Sequence, residues 1–348
     1  MRLLPLALVL VSTPAFAFDT WWHAEETRHG AEANGYSADA RLVLQVENYL
    51  TDMIAGIHSE VAGKDGVVGQ LDASRFSDEG YDYLHFDALW NLEQVTHNWD
   101  QLEKNTLAAL KKYSSDTAMP ESFRKIAELT VLAASLHAVQ DFYSHSNWVN
   151  YWTKVGVKTP LWFDVVPDDR ARLDIHSGAY PDGSSRGHAN HGDLNKDNSA
   201  RPLNAEAVDA ATRASIDWLA RLEKDDPSLP WAEMKGYSVQ GDRIMKDFLT
   251  RLDATFLTTS SIVLDHFDGK APKKQIFSPG NAAKDKKQAT VMLAATMKDY
   301  LVYVGAEKNK QYKLPSPYWS SHFIYHVPRD VAYDMLLADK KYITPLKK

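Results

Sequence analysis

Residues 136–148 read LHAVQDFYSHSNW, at the end of a helix with an apolar approach, RKIAELTVLAAS. His137, Asp141 and His145 recur there at intervals of four. On an α-helix, positions i, i+4 and i+8 stand nearly above one another, so two imidazoles and a carboxylate share one stripe. Such a stripe either faces water as an ordinary polar helix face, with Asp141 and His145 paired, or converges on a ligand. A transition metal needs several deprotonated donors within about 2.0–2.3 Å of one point, and a spacing of four presents donors to a common side. Spacing alone leaves both readings open. Ser144, Ser146 and Asn147 are the neighbours able to orient the imidazoles by hydrogen bonds.

The surrounding chain is mainly helical by periodicity. Ala38–Ile54 puts Leu42, Val46, Tyr49, Leu50 and Met53 on one face, behind Ser37 as N-cap. Leu89–Tyr113 and Ser122–His145 read the same way, the second with Ile126, Leu129, Ala133 and Leu136 as its buried stripe. Asn204 is expected to cap a helix to about Leu222 that carries Val208, Ala211, Ser215, Trp218, Leu219 and Leu222. Arg243–Phe267 is expected to form a further helix. The Gly/Asp-rich stretches Gly63–Tyr83 and Pro160–Pro202 have no period, and the second is far longer than a usual connection, which marks it as functional or disordered. The fold class is therefore all-α, with many helices and long irregular loops over residues 18–267. A smaller C-terminal extension follows over 268–348, and the sequence has no internal repeat.

At 44% hydrophobic, the 348 residues suffice for a sizeable core. Residues 1–17, MRLLPLALVLVSTPAFA, have an early Arg, a short apolar run and an A-x-A-like ending, the pattern of a secretory signal peptide. Pro5 and Pro14 oppose the alternative of a core helix. The mature chain is then expected to start at Phe18, secreted or periplasmic after cleavage near Ala17. No later stretch reaches the roughly 18 uninterrupted apolar residues of a membrane span. There is no cysteine, so disulfides and thiolate ligands are excluded and a metal must be held by His, Asp, Glu or main chain. The net charge of −7 hides an asymmetry: residues 268–348 carry 15 Lys and Arg against 7 Asp and Glu. That basic region suits an anionic membrane or acidic partner, or is simply a solvated lysine-rich surface.

Several of the 13 histidines have a carboxylate or a second histidine nearby: His23, His85 with Asp87, the stripe, and His188 with His191. His29, His58, His97, His176 and His266 read as structural or surface residues.

DFYSHSNW and HGDLNKD, taken together, resemble the zinc-dependent phospholipases C of bacteria and, through them, the fungal zinc nucleases that attack single strands. They are more similar still to the branch containing the Het-C heterokaryon-incompatibility proteins and Pseudomonas-type phospholipases C. The resemblance covers roughly residues 18–267 and implies an all-helical domain holding two or three zinc ions. It makes His137 and Asp141 a ligand pair and His145 the next ligand, on a neighbouring zinc, four residues past the Asp where better-known enzymes have six. It implies His85 as an upstream ligand, with Asp72 or Asp87 as the carboxylate sharing its zinc. The amine and carbonyl of Phe18, together with His23, fit the family's N-terminal ligand set, although relatives mostly start with Trp. Relatives supply a last pair as His-x-x-x-Glu or His-x-x-x-Asp; here His191 takes that place, with His188 behind it and Asp197 as the candidate carboxylate.

The implied activity is phospholipase C at a membrane surface, releasing diacylglycerol and a phosphorylated headgroup, with Asp72 orienting the attacking water and taking its proton. Alternatives are a nuclease-type phosphodiesterase, against which the acidic first 267 residues weigh, and a non-enzymatic Het-C-like interaction protein with structural zinc. No stable nucleic-acid partner is expected. Trp148, Tyr151, Trp152, Trp162 and Phe163 are either core or a surface for an acyl chain or a choline cation.

Overall fold

The computed structural model describes residues 20–45, 47–48, 51, 84–117, 121–179, 187–197 and 200–238. The expected signal segment, Phe18, Asp72, the helix expected over 243–267 and the basic region 268–348 lie outside the described residues. The described part is helical and contains no sheet, in keeping with an all-α fold.

Helix formation starts from local signals. α1 spans Thr20–Ala33. α2 covers residues 38–45, with Ser37 Oγ accepting from the Ala40 amide at 3.1 Å as its cap. α3 runs Leu92–Ser114 rather than from Leu89, because the Asn91 side chain accepts from the Gln94 amide and fixes the start there. Glu93 in its first turn and Lys111 and Lys112 in its last complement the helix dipole.

α4, Glu121–His145, contains no Gly or Pro over 25 residues and is the centre of the fold. Residues 126–146 are buried on every side, the apolar first half and the polar side chains from Ser135 onward alike. The expected one-sided stripe of Ile126, Leu129, Ala133 and Leu136 is therefore only part of a wholly enclosed helix. α5 follows at Trp148–Lys154, a short α6 at Pro167–Arg170 and a single turn, α7, at His191–Leu194. α8 spans Asn204–Asp225 and α9 Trp231–Lys235. Asn204 does not cap α8: Leu203, at φ +64°, holds that position, and the Asn204 side chain instead donates to the Lys196 carbonyl at 2.6 Å.

α8, α1 and α3 pack against α4. Gly30 lets α1 and α8 approach closely, since a Cβ there would sit 2.9 Å from Ser215 Cβ. Beside this contact lies an aromatic core in which the Trp99 ring meets Phe86, Phe142, Trp162 and Trp218 at 5.0–6.0 Å. The indole N–H groups of Trp148 and Trp218 donate to Pro160 O and Ser135 Oγ, so these large side chains are buried without losing a hydrogen bond. Trp148 and Trp162 are core residues. Tyr151, Trp152 and Phe163 are half-buried.

Within the long stretch after Pro160, the described residues are ordered by backbone pairing. Residues 176–179 form an extended segment: the Ser177 and Gly178 amides donate to Leu89 O and His145 O, the Ala88 amide to Gly178 O, and the His191 amide to Ala179 O. A Cβ on Gly178 would come within 2.5 Å of His191 Cα, so only glycine lets these segments meet.

Candidate metal centre

The stripe on α4 does not face water. His137, Asp141 and His145 are each 0% exposed, which removes the polar-surface reading. Buried ionisable groups demand partners, and here the partners are one another.

A first group surrounds Asp141. His23 on α1 points Nε2 at Asp141 Oδ1 (3.2 Å), while His137 Nε2 and His85 Nδ1 lie 3.1 and 2.8 Å from Oδ2. The imidazoles of His23 and His137 stack at 4.1 Å. Side-chain amides hold their far nitrogens: His23 Nδ1 against Gln140 Oε1 at 2.6 Å and His137 Nδ1 against Asn48 Oδ1 at 3.0 Å. Asn48 Nδ2 donates to Gln140 Oε1 and Thr27 Oγ1, and Gln140 Nε2 to Ser215 Oγ. With both amides so oriented, Asn48 Oδ1 and Gln140 Oε1 accept from the Nδ1 protons and each Nε2 lone pair is turned towards Asp141.

A second group forms where α4 ends. His145 Nε2 is 3.1 Å from Asp197 Oδ1 and 3.8 Å from Asp141 Oδ1, so it adjoins the first group. Its Nδ1 donates to His85 O at 3.0 Å and lies 3.4 Å from Asp87 Oδ1. His191 Nδ1 is 3.1 Å from the same Asp87 oxygen, and its Nε2 is 3.8 Å from Asp197 Oδ2. Ser144 Oγ donates to Asp197 Oδ1.

The link between the groups is residues 85–88. Phe86 and Ala88 both adopt left-handed backbone, at φ +49° and +56°, a sparsely populated state for such side chains. That alternation turns His85 towards Asp141 while Asp87 faces His145 and His191. Asp87 therefore faces the second group, whereas from sequence it was, with Asp72, one of the two candidates for the carboxylate sharing the zinc of His85.

Charge follows from burial and company. Burial, then His23, holds His137 well below the ordinary histidine range, so its ring is neutral. Burial works against charge on His145, but Asp141, Asp87 and Asp197 override it and raise His145 well above that range. His191 is likewise raised, to about 9, chiefly by Asp87. Burial opposes ionisation of Asp141 and Asp197, yet His145 foremost among the imidazoles keeps both well below the usual carboxylate range. Glu26, one turn after His23 and 1% exposed, is pushed well above that range by burial and then by Asp141.

Two triads, His23–His137–Asp141 and Asp87–His145–His191, each have ligand atoms within 4.8 Å of one another and could hold metal ions. The donors fit such a group. Asp141 Oδ1 and Asp197 Oδ2 are buried and accept no hydrogen bond among the described residues, and an all-nitrogen and oxygen set suits a borderline divalent ion.

Of the expected ligands, the structure brings together His23, His85, His137, Asp141, His145 and His191; Phe18 and Asp72 lie outside the described residues. Asp197 joins them as the second carboxylate beside His145. His188 does not: it is exposed and stacks on Trp90 at 4.7 Å. Of the three expected orienting residues only Ser144 contacts a donor side chain, through Asp197. Ser146 Oγ donates to Phe142 O, and Asn147 anchors the Asp174–His176 backbone. Gln140 and Asn48 do that orienting instead. No visible signal marks Asn48, but Gln140 precedes Asp141 in a helix whose every face is enclosed.

No family model, curated protein or solved structure matches this chain.

Proposed function

We propose that the chain is a zinc-dependent phosphodiester hydrolase, and specifically a phospholipase C. The observation that carries this reading is one continuous buried cluster of five imidazoles and three carboxylates, none more than 4% exposed, in a cysteine-free protein. DFYSHSNW contains Asp141 and His145, HGDLNKD contains His191 and Asp197, and His137 lies one helix turn before the first motif, so five of the eight members fall in or beside the two motifs. A bound zinc pair supplies Lewis acidity to a phosphoryl oxygen and brings the pKa of an adjacent water to about 7.

The chain's own residues would act as follows. His23, His85, His137 and Asp141 hold one ion, with Gln140 and Asn48 fixing two of the rings. Asp87, His145, His191 and Asp197 hold a second. Asp72 is proposed to orient the water and accept its proton. The water oxygen bonds to phosphorus, the bond from phosphorus to the glycerol oxygen breaks, and that oxygen leaves with a proton as diacylglycerol.

Mature protein from Phe18, supplied with zinc, is expected to release phosphorylated headgroup from phosphatidylcholine, phosphatidylethanolamine or phosphatidylglycerol vesicles, and a His137→Ala, Asp141→Ala variant is not. Turnover of single-stranded DNA or RNA with none of lipid would move the substrate to nucleic acid. The burial of all eight donors favours a second reading, in which the ions only staple the fold. Unfolding on chelation with no turnover of any diester would establish it.

A further inference from the structure

We propose that Lys196 is a positioning residue for the second ligand group, setting Asp197 and His191 against His145 before any ion binds. The inference rests on the metal-centre reading above. Lys196 is 2% exposed, an unusual place for a lysine. Its amino group has three N–H donors, and each finds a main-chain carbonyl: Ser144 O at 3.0 Å, Ser146 O at 2.9 Å and Leu194 O at 2.7 Å.

Those carbonyls are informative. Ser144 and Ser146 flank His145 at the C-terminal end of α4, where carbonyls lack intrahelical partners and the helix dipole favours a cationic donor. Leu194 closes the turn that begins at His191. One side chain therefore ties the backbone on both sides of His145 to the backbone of the His191 turn. The main chain of Lys196 is held as well, its amide donating to Ser144 Oγ at 3.2 Å and its carbonyl accepting from Asn204. Asp197, the next residue, is consequently fixed relative to His145 before its own carboxylate makes any contact. Among the described residues, these contacts of Lys196 are to Ser144, Ser146, Leu194 and Asn204 and not to His23, His85 or His137.

A lysine that merely capped α4 would, when removed, weaken folding and the loading of both groups alike. A positioning lysine affects the second group selectively. Zinc titration of the full mature chain, read by native mass spectrometry, separates these. Wild type should take at least two ions. Lys196→Met, which keeps the aliphatic stem, should bind one of them at least tenfold more weakly, and adding His137→Ala should remove the ion that remains. Unchanged stoichiometry and affinity in Lys196→Met would overturn the inference while leaving the metal centre intact, whereas a wild type that takes no ion would remove the centre and this role together. A hydrogen-exchange measurement on chelated wild type covers a variant that does not fold. Slow exchange over residues 191–197 supports preorganisation by Lys196, and fast exchange that slows only on adding zinc would show that the ion, not the lysine, orders the segment.

Discussion

The two ligand groups meet on one helix, yet they are assembled by different means. Around Asp141, His23 and His137 come from α1 and α4, and the side-chain amides of Gln140 and Asn48 fix their rings. Around His145 only one donor is helical in the ordinary sense. Asp87, His191 and Asp197 arrive on turns held by the backbone of residues 176–179 and by Lys196. Charge divides them too: His137 is neutral, whereas His145 and His191 are held as cations among carboxylates. A helix places donors by periodicity and shields them from charge, while a turn-built group has to balance its own. Ion binding at the second group must therefore release protons, and its affinity should climb with pH.

Asp141 is where the comparison breaks most completely, because its oxygens lie 2.8–3.8 Å from His85, His137, His23 and His145. Asp141→Asn keeps the shape and removes the charge. We expect it to lose at least one zinc by mass spectrometry and to lower diester turnover more than a hundredfold. Retention of every ion would show that the groups do not depend on a shared carboxylate. Next in size is Gly178→Ala. The added methyl would press on the backbone of Asn190 and His191 at 2.5–2.7 Å, where no side-chain rotation relieves it. The His191 ion should bind ten- to a hundredfold more weakly and the ion at His23 and His137 as before, a split that a zinc titration reads directly.

The same division explains what could be read from the sequence. The spacing of His137, Asp141 and His145 is a helix-period signal, and the structure stacks them as that period requires. What spacing could not decide, water or ligand, depends on α8, α1 and α3 enclosing α4, a long-range fact. His85, His191 and Asp197 entered through motif resemblance rather than periodicity, since a turn has no period to reveal its facing. Whether Asp72 or Asp87 shares the zinc of His85 stayed open from sequence, because the direction of Asp87 is set by left-handed backbone at Phe86 and Ala88, which neither residue type advertises. The start of α3 moved three residues because a local cap at Asn91 outweighs the apolar pattern that runs back to Leu89.

The charge contrast gives a smaller, pH-dependent effect. His191 is raised to about 9 in the folded chain from about 6.5 when unfolded. Its stabilisation is therefore complete below about pH 6.5 and lost as pH rises through 9, on the order of 3 kcal/mol for such a shift. Lys196, lowered to about 7 by burial, runs the opposite way: the unfolded chain holds its extra proton between about pH 7 and 10.5, so this contribution grows with pH. Thermal melts of chelated wild type alone would mix the two. The difference between wild type and His191→Gln isolates the histidine, and it should favour wild type at pH 6 and shrink by pH 9.5. A difference that stays constant over that range would mean His191 is not held as a cation.

The smallest expected effect tests the helical group by itself. Gln140 touches no ion in this reading; its Oε1 accepts from His23 and Asn48, and its Nε2 donates to Ser215 and Thr27. Removing it frees the His23 ring to rotate and loosens Asn48, hence His137, but leaves every donor in place. Groups that orient ligands in this way typically matter ten- to a hundredfold in metal affinity, and the tight packing of the two stacked rings at 4.1 Å keeps Gln140→Ala near the lower figure. Zinc at the first group should weaken about tenfold in Gln140→Ala, with the second group unaffected. An equal loss at both would mean that the amide network reaches through Asp141 to His145, and that the contrast between a helix-built and a turn-built group is one of construction only, not of function.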